Sequence, residues 1–345
     1  METSRQDIGE GEKEVKTGRT PPSASEDVSS EALGHAVPQV KEKRKGKAEG
    51  ANSTEEGAST SNLHNRGDLS TITVGGVTLQ GVSVGGQETC IIIPSMKVAF
   101  DVGRCPQRAV FQDNVLISHA HMDHIGGVCL QAATRGLFSL KPPRIVVPKV
   151  IVPGVENLFN AFRALDNAEL EHKLIGLEIG EELRLSGELF VKPFRTYHVV
   201  PSQGYVVYSR RQKLKKEFVG LPGPEIGRLR KSGVEITDVE EVPEVAFTGD
   251  TTAEFLTDPG NADVLRAKLL IMEMTFIDDS STVEHARKWG HTHIDEVVPL
   301  AHLFQNEAIL FIHFSARYRR KDILEAIERL PPGFREKVTP LLERF

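Results

Sequence analysis

The sequence predicts an α/β fold in which sheets lie inside and helices cover them outside. Short strand-like runs recur along the chain, and helical patterns at 155–165 and 321–330 lie between them. The part predicted to be ordered also begins with β-structure, because residues 71–86 and 89–103 consist of apolar runs separated by Gly-rich turns. No repeat of solenoid or propeller period is visible, so the elements are expected to form one layered domain.

The segment before this domain is polar. Residues 1–67 consist mainly of Ser, Glu, Lys, Gly and Pro, and no aromatic residue precedes Phe100. Such a segment buries too little apolar surface to offset its ordering entropy, so we predict a disordered tail over 1–67 and a folded domain over 68–345. The basic run at 41–47 is predicted to be a solvated charge run, with nuclear import or attraction to RNA as the alternative.

Composition excludes several classes. The 345 residues are 39% hydrophobic and 26% charged. They contain no run of about 18 apolar residues, which excludes a membrane-spanning protein. Three distant cysteines provide neither a disulfide framework nor a paired-cysteine zinc site. A net charge of -6 gives no overall sign of nucleic-acid binding. We expect a soluble intracellular protein in a reducing compartment.

One motif carries most of the chemical information. His119, His121, Asp123 and His124 occupy six positions directly after an apolar strand. On a strand, His119 and His121 would point to the same side, and a turn into a helix would bring the next pair to face them. Gly126 and Gly127 would let the backbone pack closely where this turn closes. Histidine and carboxylate suit Zn²⁺, so the motif predicts a hydrolase with two metal ions.

Three further candidate ligands lie at or near strand ends: His198, Asp250 and His313. They complete seven ligands, enough for two four- or five-coordinate ions and a bridging hydroxide. Each has an alternative interpretation when taken alone, since Asp250 could cap a helix and His313 could be a core residue.

The motifs around these ligands resemble the tRNase Z family of the metallo-β-lactamase superfamily. The resembling segments are 196–198, 202–205, 247–251 and 313–318, and similarity extends from about Val74 to the C-terminus. The resemblance implies a metallo-β-lactamase αββα sandwich with an inserted flexible basic arm. It implies a zinc-dependent endoribonuclease that removes the 3′ trailer from precursor tRNA by hydrolysing the phosphodiester after the discriminator nucleotide. It also implies two zinc ions per chain, with manganese or another divalent metal as substitute, and the homodimer of the short plant-type form.

The resemblance also assigns roles to individual residues. It implies that His119, His121 and His198 hold one zinc ion, that Asp123, His124 and His313 hold the other, and that Asp250 is shared. Asp123 would also act as general base toward the attacking water.

A Glu-His couple protonates the leaving oxygen in this family. Here Glu273 and His291 match its positions, but Met272 replaces the histidine that precedes the glutamate. Either that histidine is not essential, or His293 substitutes for it. The alternative interpretation of Glu273 and His291 is a structural, buried ion pair near the start of a helix.

Substrate selection is predicted to come from residues 209–233, which contain eight cations and two acids. This segment resembles the family's flexible arm, whose Gly-Pro-rich part grips the tRNA elbow through sequence-independent backbone contacts. Its alternative is an exposed basic loop. The predicted RNA-binding residues are Arg210, Arg211, Lys213, Lys215, Lys216, Gly220, Pro222, Gly223, Pro224, Arg228, Arg230 and Lys231.

Other features receive structural interpretations. Asp101 is predicted to support the site rather than to catalyse, Cys105 and Cys129 to be core or surface thiols, and Trp289 to be a packing residue. Two alternative functions remain, a metallo-β-lactamase-fold hydrolase of another phosphodiester or a thioester, and a non-catalytic RNA-binding protein. The expected compartment is the cytoplasm, with the nucleus and an organelle as alternatives.

Overall fold

The computed structural model describes residues 69–345. The tail predicted over 1–67, and its basic run at 41–47, lie outside the described residues. Within 69–345, no helix is both long enough and apolar enough to cross a bilayer.

The strands, numbered in chain order, are β1 Thr71–Val74, β2 Val77–Gly85, β3 Glu88–Ile93, β4 Val98–Phe100, β5 Asn114–Leu116, β6 Arg144–Pro148, β7 Lys173–Leu177, β8 Leu183–Ser186, β9 Leu189–Arg195, β10 Gln203–Leu214, β11 Thr237–Phe247, β12 Leu269–Glu273, β13 Ala308–Ile312, β14 Phe314–Ser315 and β15 Val338–Pro340. The α-helices are α1 Met122–Ile125, α2 Val128–Leu137, α3 Val152–Asp166, α4 Gly223–Lys231, α5 Val283–Lys288, α6 Ile294–Val297, α7 Arg320–Glu328 and α8 Pro332–Arg335. Short 3₁₀ turns occupy Pro94–Met96, Gln107–Phe111, Lys149–Ile151, Lys216–Phe218, Ala253–Leu256, Pro259–Asn261, Val264–Arg266 and Val298–Leu303.

These strands form two mixed sheets. The first has the order β1-β2-β3-β4-β5-β6-β7, with β14 paired to β2, and the second has the order β15-β13-β12-β11-β10-β9-β8. In both sheets the hairpin-connected strands are antiparallel, and the strands joined by crossovers, such as β4, β5 and β6 or β11, β12 and β13, are parallel.

Alternation of side chains along the strands fills three cores. In β13, Leu310 lies in the core between the sheets, and Phe311 lies in the core between the second sheet and α7 and α8. In β5, Leu116 faces the central core, and Val115 faces the core beneath α2 and α3. Stacking of Phe100 on Phe247, with ring centroids 4.8 Å apart, joins the two sheets. The result is the four-layer αββα sandwich that the sequence predicts.

Strand direction gathers the chemistry at one edge. Strands β9, β11, β12 and β13 all run the same way, since β9 and β11 are both antiparallel to β10. Their carboxyl ends therefore share one edge of the second sheet, and polar residues that follow different strands meet there.

Candidate metal centre and basic arm

The H-x-H-x-D-H segment differs from its predicted geometry in one respect. Strand β5 ends at Leu116, so His119 and His121 lie in the loop after it rather than on a strand. The chain does enter a helix at Met122, as expected, and this helix carries Asp123 and His124. Gly127 has no room for a side chain, because a Cβ there would lie 2.6 Å from the backbone nitrogen of Cys105.

The first candidate ligand group contains His119, His121, His198 and Asp250. Their ligand atoms all lie within 4.8 Å of one another. Nε2 of His198 lies 3.2 Å from Nδ1 of His121, and Nε2 of His119 lies 3.6 Å from Oδ2 of Asp250.

The second group contains Asp123, His124 and His313, again with ligand atoms within 4.8 Å. Nε2 of His124 lies 3.3 Å from Nε2 of His313 and 3.6 Å from Oδ2 of Asp123. Asp250 belongs to the first group but also reaches the second, because its Oδ2 lies 3.6 Å from Nε2 of His119 and 3.3 Å from Nε2 of His124. Its Oδ1 lies 3.4 Å from Nε2 of His313. Asp250 therefore contacts a histidine of each group through short distances.

Unsatisfied polar atoms test whether these groups fit metal ions. Nε2 of His119 and Oδ1 of Asp250 are buried, and neither has a hydrogen-bond partner among the described residues. A buried polar atom without a partner is costly, and a bound cation would give both of these atoms a partner. The donor set of imidazoles and carboxylates is one that suits divalent transition metals. The residues present therefore fit a divalent metal ion.

Electrostatics agree with this fit. Burial lowers the pKa of His119 well below its ordinary value and also lowers the pKa of His198, so both rings favour the neutral form that binds metals. Burial alone would lower the pKa of His124, but the carboxylates of Asp250 and Asp101 raise it well above the usual range. The two carboxylates thus attract positive charge into the centre.

Hydrogen bonds fix the orientation of the histidines from outside. Asp101 accepts from Nδ1 of His124 at 2.7 Å, and the carbonyl oxygen of Gly290 accepts from Nδ1 of His198 at 2.8 Å. Thr275 Oγ1 lies 3.0 Å from Nδ1 of His313. In each case Nε2 is left to face the centre, which is how metal-binding histidines are usually held.

Glu273 and His291 lie in direct contact beside the second group. Oε1 of Glu273 is 3.0 Å from Nδ1 of His291, and Glu273 is fully buried at the end of β12. Burial lowers the pKa of His291, but attraction and hydrogen bonding by Glu273 outweigh it and raise the pKa to about 9. The side chain of His291 remains 18% exposed, so the protonated ring can reach a bound molecule.

The segment interpreted as an arm is a two-stranded ribbon with a helix at its tip. Strands β10 and β11 pair from Ser209↔Val242 to Leu214↔Thr237, and α4 lies between them in sequence. The predicted range of 209–233 leaves out the returning strand, although its residues 237–242 pair with the first strand. Gly220 and Pro222 precede α4, whereas Gly223 and Pro224 begin it, and all four are exposed.

Pairing divides the arm's cations into two sets. Arg210 pairs with Glu182 and Glu241, and its guanidinium lies 4.1 Å from the centroid of the Phe190 ring. The other paired cations are Arg211 with Glu244, Lys213 with Glu240, and Lys215 with Glu235. Four cations nearer the tip form no ion pair with the described residues: Lys216, Arg228, Arg230 and Lys231. The positive charge that remains available is therefore concentrated at the tip.

Comparison with known proteins shows the family. Residues 104–314 match the family model for the beta-lactamase superfamily domain. The chain is 57% identical over 270 residues to tRNase Z TRZ1 of Arabidopsis thaliana, which covers 78% of this chain and 96% of that protein. It is 58% identical over 163 residues to a nuclear ribonuclease Z of Triticum aestivum, covering 47% of this chain and 93% of that protein. The chain belongs to the tRNase Z family.

The crystal structure of the short form of human tRNase Z has the same fold. It superimposes with a TM-score of 0.50 at 19% identity, covering 77% of this chain and 97% of that chain. This likeness confirms the prediction of the metallo-β-lactamase fold, and the sequence relatives confirm that of the tRNase Z family.

The structure also distinguishes the two interpretations of Met272 in this member of the tRNase Z family. Met272 is fully buried in the core outside the second sheet. His293 does not reach the Glu273–His291 pair, because its Nε2 lies 3.1 Å from the carbonyl oxygen of Ser281 and its Nδ1 accepts from the backbone of Asp295 at the start of α6. His293 is thus a helix cap, and Met272 is a core residue.

Two residues that support the site have no predicted role, and one prediction is wrong. Ser118 and Thr275 each contact a candidate ligand, and their only signal in the sequence is that each flanks a motif residue. Trp289 is predicted to pack, but its side chain is 53% exposed. Cys105 and Cys129 belong to none of the candidate metal groups of the described residues. Burial raises the pKa of their thiols to about 12 and about 11, which disfavours the nucleophilic thiolate.

Proposed function

We propose that this protein is a zinc-dependent endoribonuclease that removes the 3′ trailer of precursor tRNA by hydrolysing the phosphodiester after the discriminator nucleotide. Membership of the tRNase Z family confirms the prediction of a tRNA-processing endoribonuclease. The observation that carries the assignment to this site is the convergence of seven ligand-type side chains beside a buried Glu273–His291 pair.

The metal assignment follows the two groups. His119, His121 and His198 would hold one zinc ion, Asp123, His124 and His313 the other, and Asp250 both. When bound, the two ions would polarise the scissile phosphate and stabilise the attacking and leaving oxygens. Zinc is favoured because five of the seven ligands are imidazoles, and manganese or another divalent ion could replace it.

Asp123 is the proposed general base. It is the carboxylate of the centre with most access to solvent, since its side chain is 14% exposed and that of Asp250 is 3% exposed. Its Oδ2 accepts a hydrogen bond from the backbone of Gly86 at 2.9 Å, which fixes the carboxylate near His124 and His313. A fixed, partly accessible carboxylate can orient the attacking water and take its proton.

His291 is the proposed acid for the leaving 3′ oxygen. A pKa of about 9 keeps its ring protonated at neutral pH. Glu273 accepts a hydrogen bond from the protonated Nδ1 of His291, so the proton on Nε2 is the one that can be transferred to the substrate. Backbone amides of Thr251 and Thr292 donate to Glu273, which holds the carboxylate in place.

The arm is the proposed tRNA-binding element, and the tip is its strongest part. Lys216, Arg228, Arg230 and Lys231 would contact phosphates without reading sequence. Arg210, Arg211, Lys213 and Lys215 would contribute less, because nearby acids already offset their charge. The exposed Gly220–Pro224 segment would follow the backbone of the tRNA elbow.

We further propose a homodimer. Large apolar side chains are exposed on two neighbouring helices, namely Leu130 and Leu137 on α2 and Phe162 and Leu165 on α3. Such a patch on a stable fold is typical of an interface between subunits. The cytoplasm is the proposed compartment, and the name of the wheat relative makes the nucleus the alternative.

Cleavage mapping tests the function. Wild-type protein and His121→Ala are incubated with a 3′-extended precursor tRNA, with and without a chelator, and both product ends are mapped. We expect one metal-dependent cut directly after the discriminator nucleotide, lost in His121→Ala. No cut, with continued hydrolysis of a small phosphodiester or a thioester, would instead support the alternative hydrolase.

Shortening the arm separates substrate binding from chemistry. Ser209 and Val242 are register partners, so a two-residue hairpin turn can replace residues 210–241 without disturbing the second sheet. We expect tRNA cleavage to be lost and hydrolysis of a small phosphodiester to remain. Loss of both activities in a folded, zinc-loaded variant would contradict a separate RNA-binding element.

A further inference from the structure

Three exposed apolar side chains lie next in sequence to, or within two residues of, residues of the candidate centre. Met122, between His121 and Asp123, is 76% exposed. Val199, directly after His198, is 52% exposed, and Trp289, directly before Gly290, is 53% exposed. Single exposed apolar residues are common, but these three border one site, and an exposed tryptophan leaves a large apolar area in water.

Trp289 is held close to the first ligand group by its neighbour. Gly290 has φ +74, and its carbonyl oxygen accepts from Nδ1 of His198. A Cβ at position 290 would lie 2.6 Å from Nδ1 of His198 and 2.8 Å from the backbone nitrogen of Val199. The segment that carries Trp289 therefore packs directly on the segment that carries His198 and Val199.

An aromatic row connects Trp289 with the Glu273–His291 pair. The ring of Trp289 lies 6.3 Å from that of His285, which lies 5.7 Å from that of Phe276. Phe276 lies 6.3 Å from His291. Cations accompany this row, since Nζ of Lys288 lies 5.9 Å from the Trp289 ring and the guanidinium of Arg317 lies 5.4 Å from the Phe276 ring.

Flat apolar rings next to exposed cations suit single-stranded nucleic acid. A base stacks on the ring, and the cations attract the phosphates on either side. A partner protein would match the apolar area but would not need the cations. We propose that Trp289 is a stacking platform for one unpaired base within one nucleotide of the cleaved bond, and that Val199 contacts the edge of that base.

This proposal rests on the proposed function, because it needs an RNA whose scissile phosphate lies at the candidate centre. In that complex Trp289 acts as a positioning residue. By stacking one base it fixes the phosphate next to that base relative to Asp250 and His291, so the register of the cut depends on it. Stacking does not read the identity of the base, because every base has a flat face.

Cleavage kinetics with abasic substrates test whether a base stacks on Trp289. Precursor tRNAs with an abasic nucleotide immediately before or immediately after the cut are compared with the intact precursor, using wild type, Trp289→Ala and Trp289→Phe. We expect Trp289→Ala to lower kcat/KM roughly tenfold on the intact substrate and Trp289→Phe to retain most of it. One abasic substrate should lower kcat/KM of wild type by a similar factor and have no further effect on Trp289→Ala.

The fluorescence of Trp289 also reports stacking directly, because it is the only tryptophan in the chain. Its fluorescence in stopped-flow single turnovers should be quenched by the intact substrate and not by the critical abasic one. Leu324→Ala, which removes an exposed apolar side chain on α7, serves as the control variant and should behave as wild type. Zinc content shows that each variant is loaded.

The outcomes separate the two proposals. No cut by wild-type protein would count against the proposed function. If wild type cuts normally, two results would overturn the stacking proposal and leave the proposed function standing. In the first, zinc-loaded Trp289→Ala is as active as wild type. In the second, the loss caused by Trp289→Ala and the loss caused by the abasic nucleotide multiply when the two are combined.

Discussion

Oδ2 of Asp101 lies 2.7 Å from Nδ1 of His124, and both side chains are fully buried. The same oxygen accepts from Oγ of Ser118 at 2.8 Å, and that hydroxyl lies 3.0 Å from Nδ1 of His119. Asp101 therefore orients one histidine in each candidate ligand group. These hydrogen bonds satisfy a fully buried carboxyl group outside the ligand motif, at a residue whose φ is +54.

Replacing Asp101 with Asn should weaken the centre without unfolding the chain. Asn tolerates positive φ and keeps the shape of the side chain. It has only one acceptor oxygen, so it cannot accept the hydrogen bonds that reach both oxygens of Asp101 from Ser118 and His124. Loss of such a partner typically lowers metal affinity by roughly 10- to 100-fold. Zinc competition with a chromogenic chelator measures the change, with the exposed Asp113→Asn as control. Equal zinc affinity in both variants would show that Asp101 does not position the ligands.

The Glu273–His291 pair should behave as one unit. If His291 donates the proton and Glu273 sustains its charge, Glu273→Gln and His291→Ala should each lower the rate of tRNA cleavage by roughly 10²- to 10⁴-fold. The double variant should be no slower than the slower single variant, because residues that act together are not additive. Single-turnover cleavage measures this, zinc content should stay at the wild-type level, and His302→Ala, on an exposed histidine, is the control. Multiplying losses would contradict the couple.

Charge removal at the arm should separate the tip from the ribbon. Arg230→Ala with Lys231→Ala removes two cations that form no ion pair with the described residues, whereas Arg211→Ala with Lys213→Ala removes two paired ones. Removing one phosphate contact reduces the salt dependence of binding by about one unit in the slope of log affinity against log salt. We expect weaker tRNA binding and a shallower slope for the tip variant, measured by filter binding over a range of salt concentrations. An equal effect of the ribbon variant would show that the acids do not offset its charge.

The clustering of the candidate ligands could be predicted from the sequence because each of them lies at or soon after the end of a strand or in the first turn of a helix. His198, Asp250 and His313 are far apart in the chain, yet parallel strand direction brings their positions to one edge. The contacts that orient the histidines could not be predicted, because they depend on the pairing of strands, which no local sequence pattern specifies. Asp101 meets Ser118 because β4 and β5 pair in parallel with Phe100 opposite Leu116. Thr275 meets His313 because β12 lies beside β13.

The sequence overestimates the charge of the arm for a related reason. Within residues 209–233 the cations outnumber the acids, but Glu240, Glu241 and Glu244 return on β11 and face the first strand across the ribbon. A sequence window ending at Gly233 excludes them. Packing is the expected role of Trp289 because tryptophan usually packs, and only the tertiary structure shows that its helix ends at the surface.

Stability toward acid should depend on His172, which lies away from the candidate centre. Its ring stacks on the buried ring of Phe159 with centroids 3.7 Å apart, and its Nδ1 donates to the carbonyl oxygen of Leu170. Burial lowers the pKa of His172, an effect that the Leu170 carbonyl opposes and that Arg163 reinforces.

Because the pKa is lower in the folded state than in the unfolded state, the unfolded chain binds more protons between the two values. The free energy of unfolding should therefore be insensitive to His172 above about pH 6.5 and should fall as the pH decreases below it. His172→Gln keeps a hydrogen-bond donor but cannot titrate, so the difference in unfolding free energy between wild type and variant should change between pH 7 and pH 5, in the direction that disfavours wild type in acid. Urea unfolding at several pH values measures this difference. A difference that is constant with pH would show that His172 titrates alike in both states.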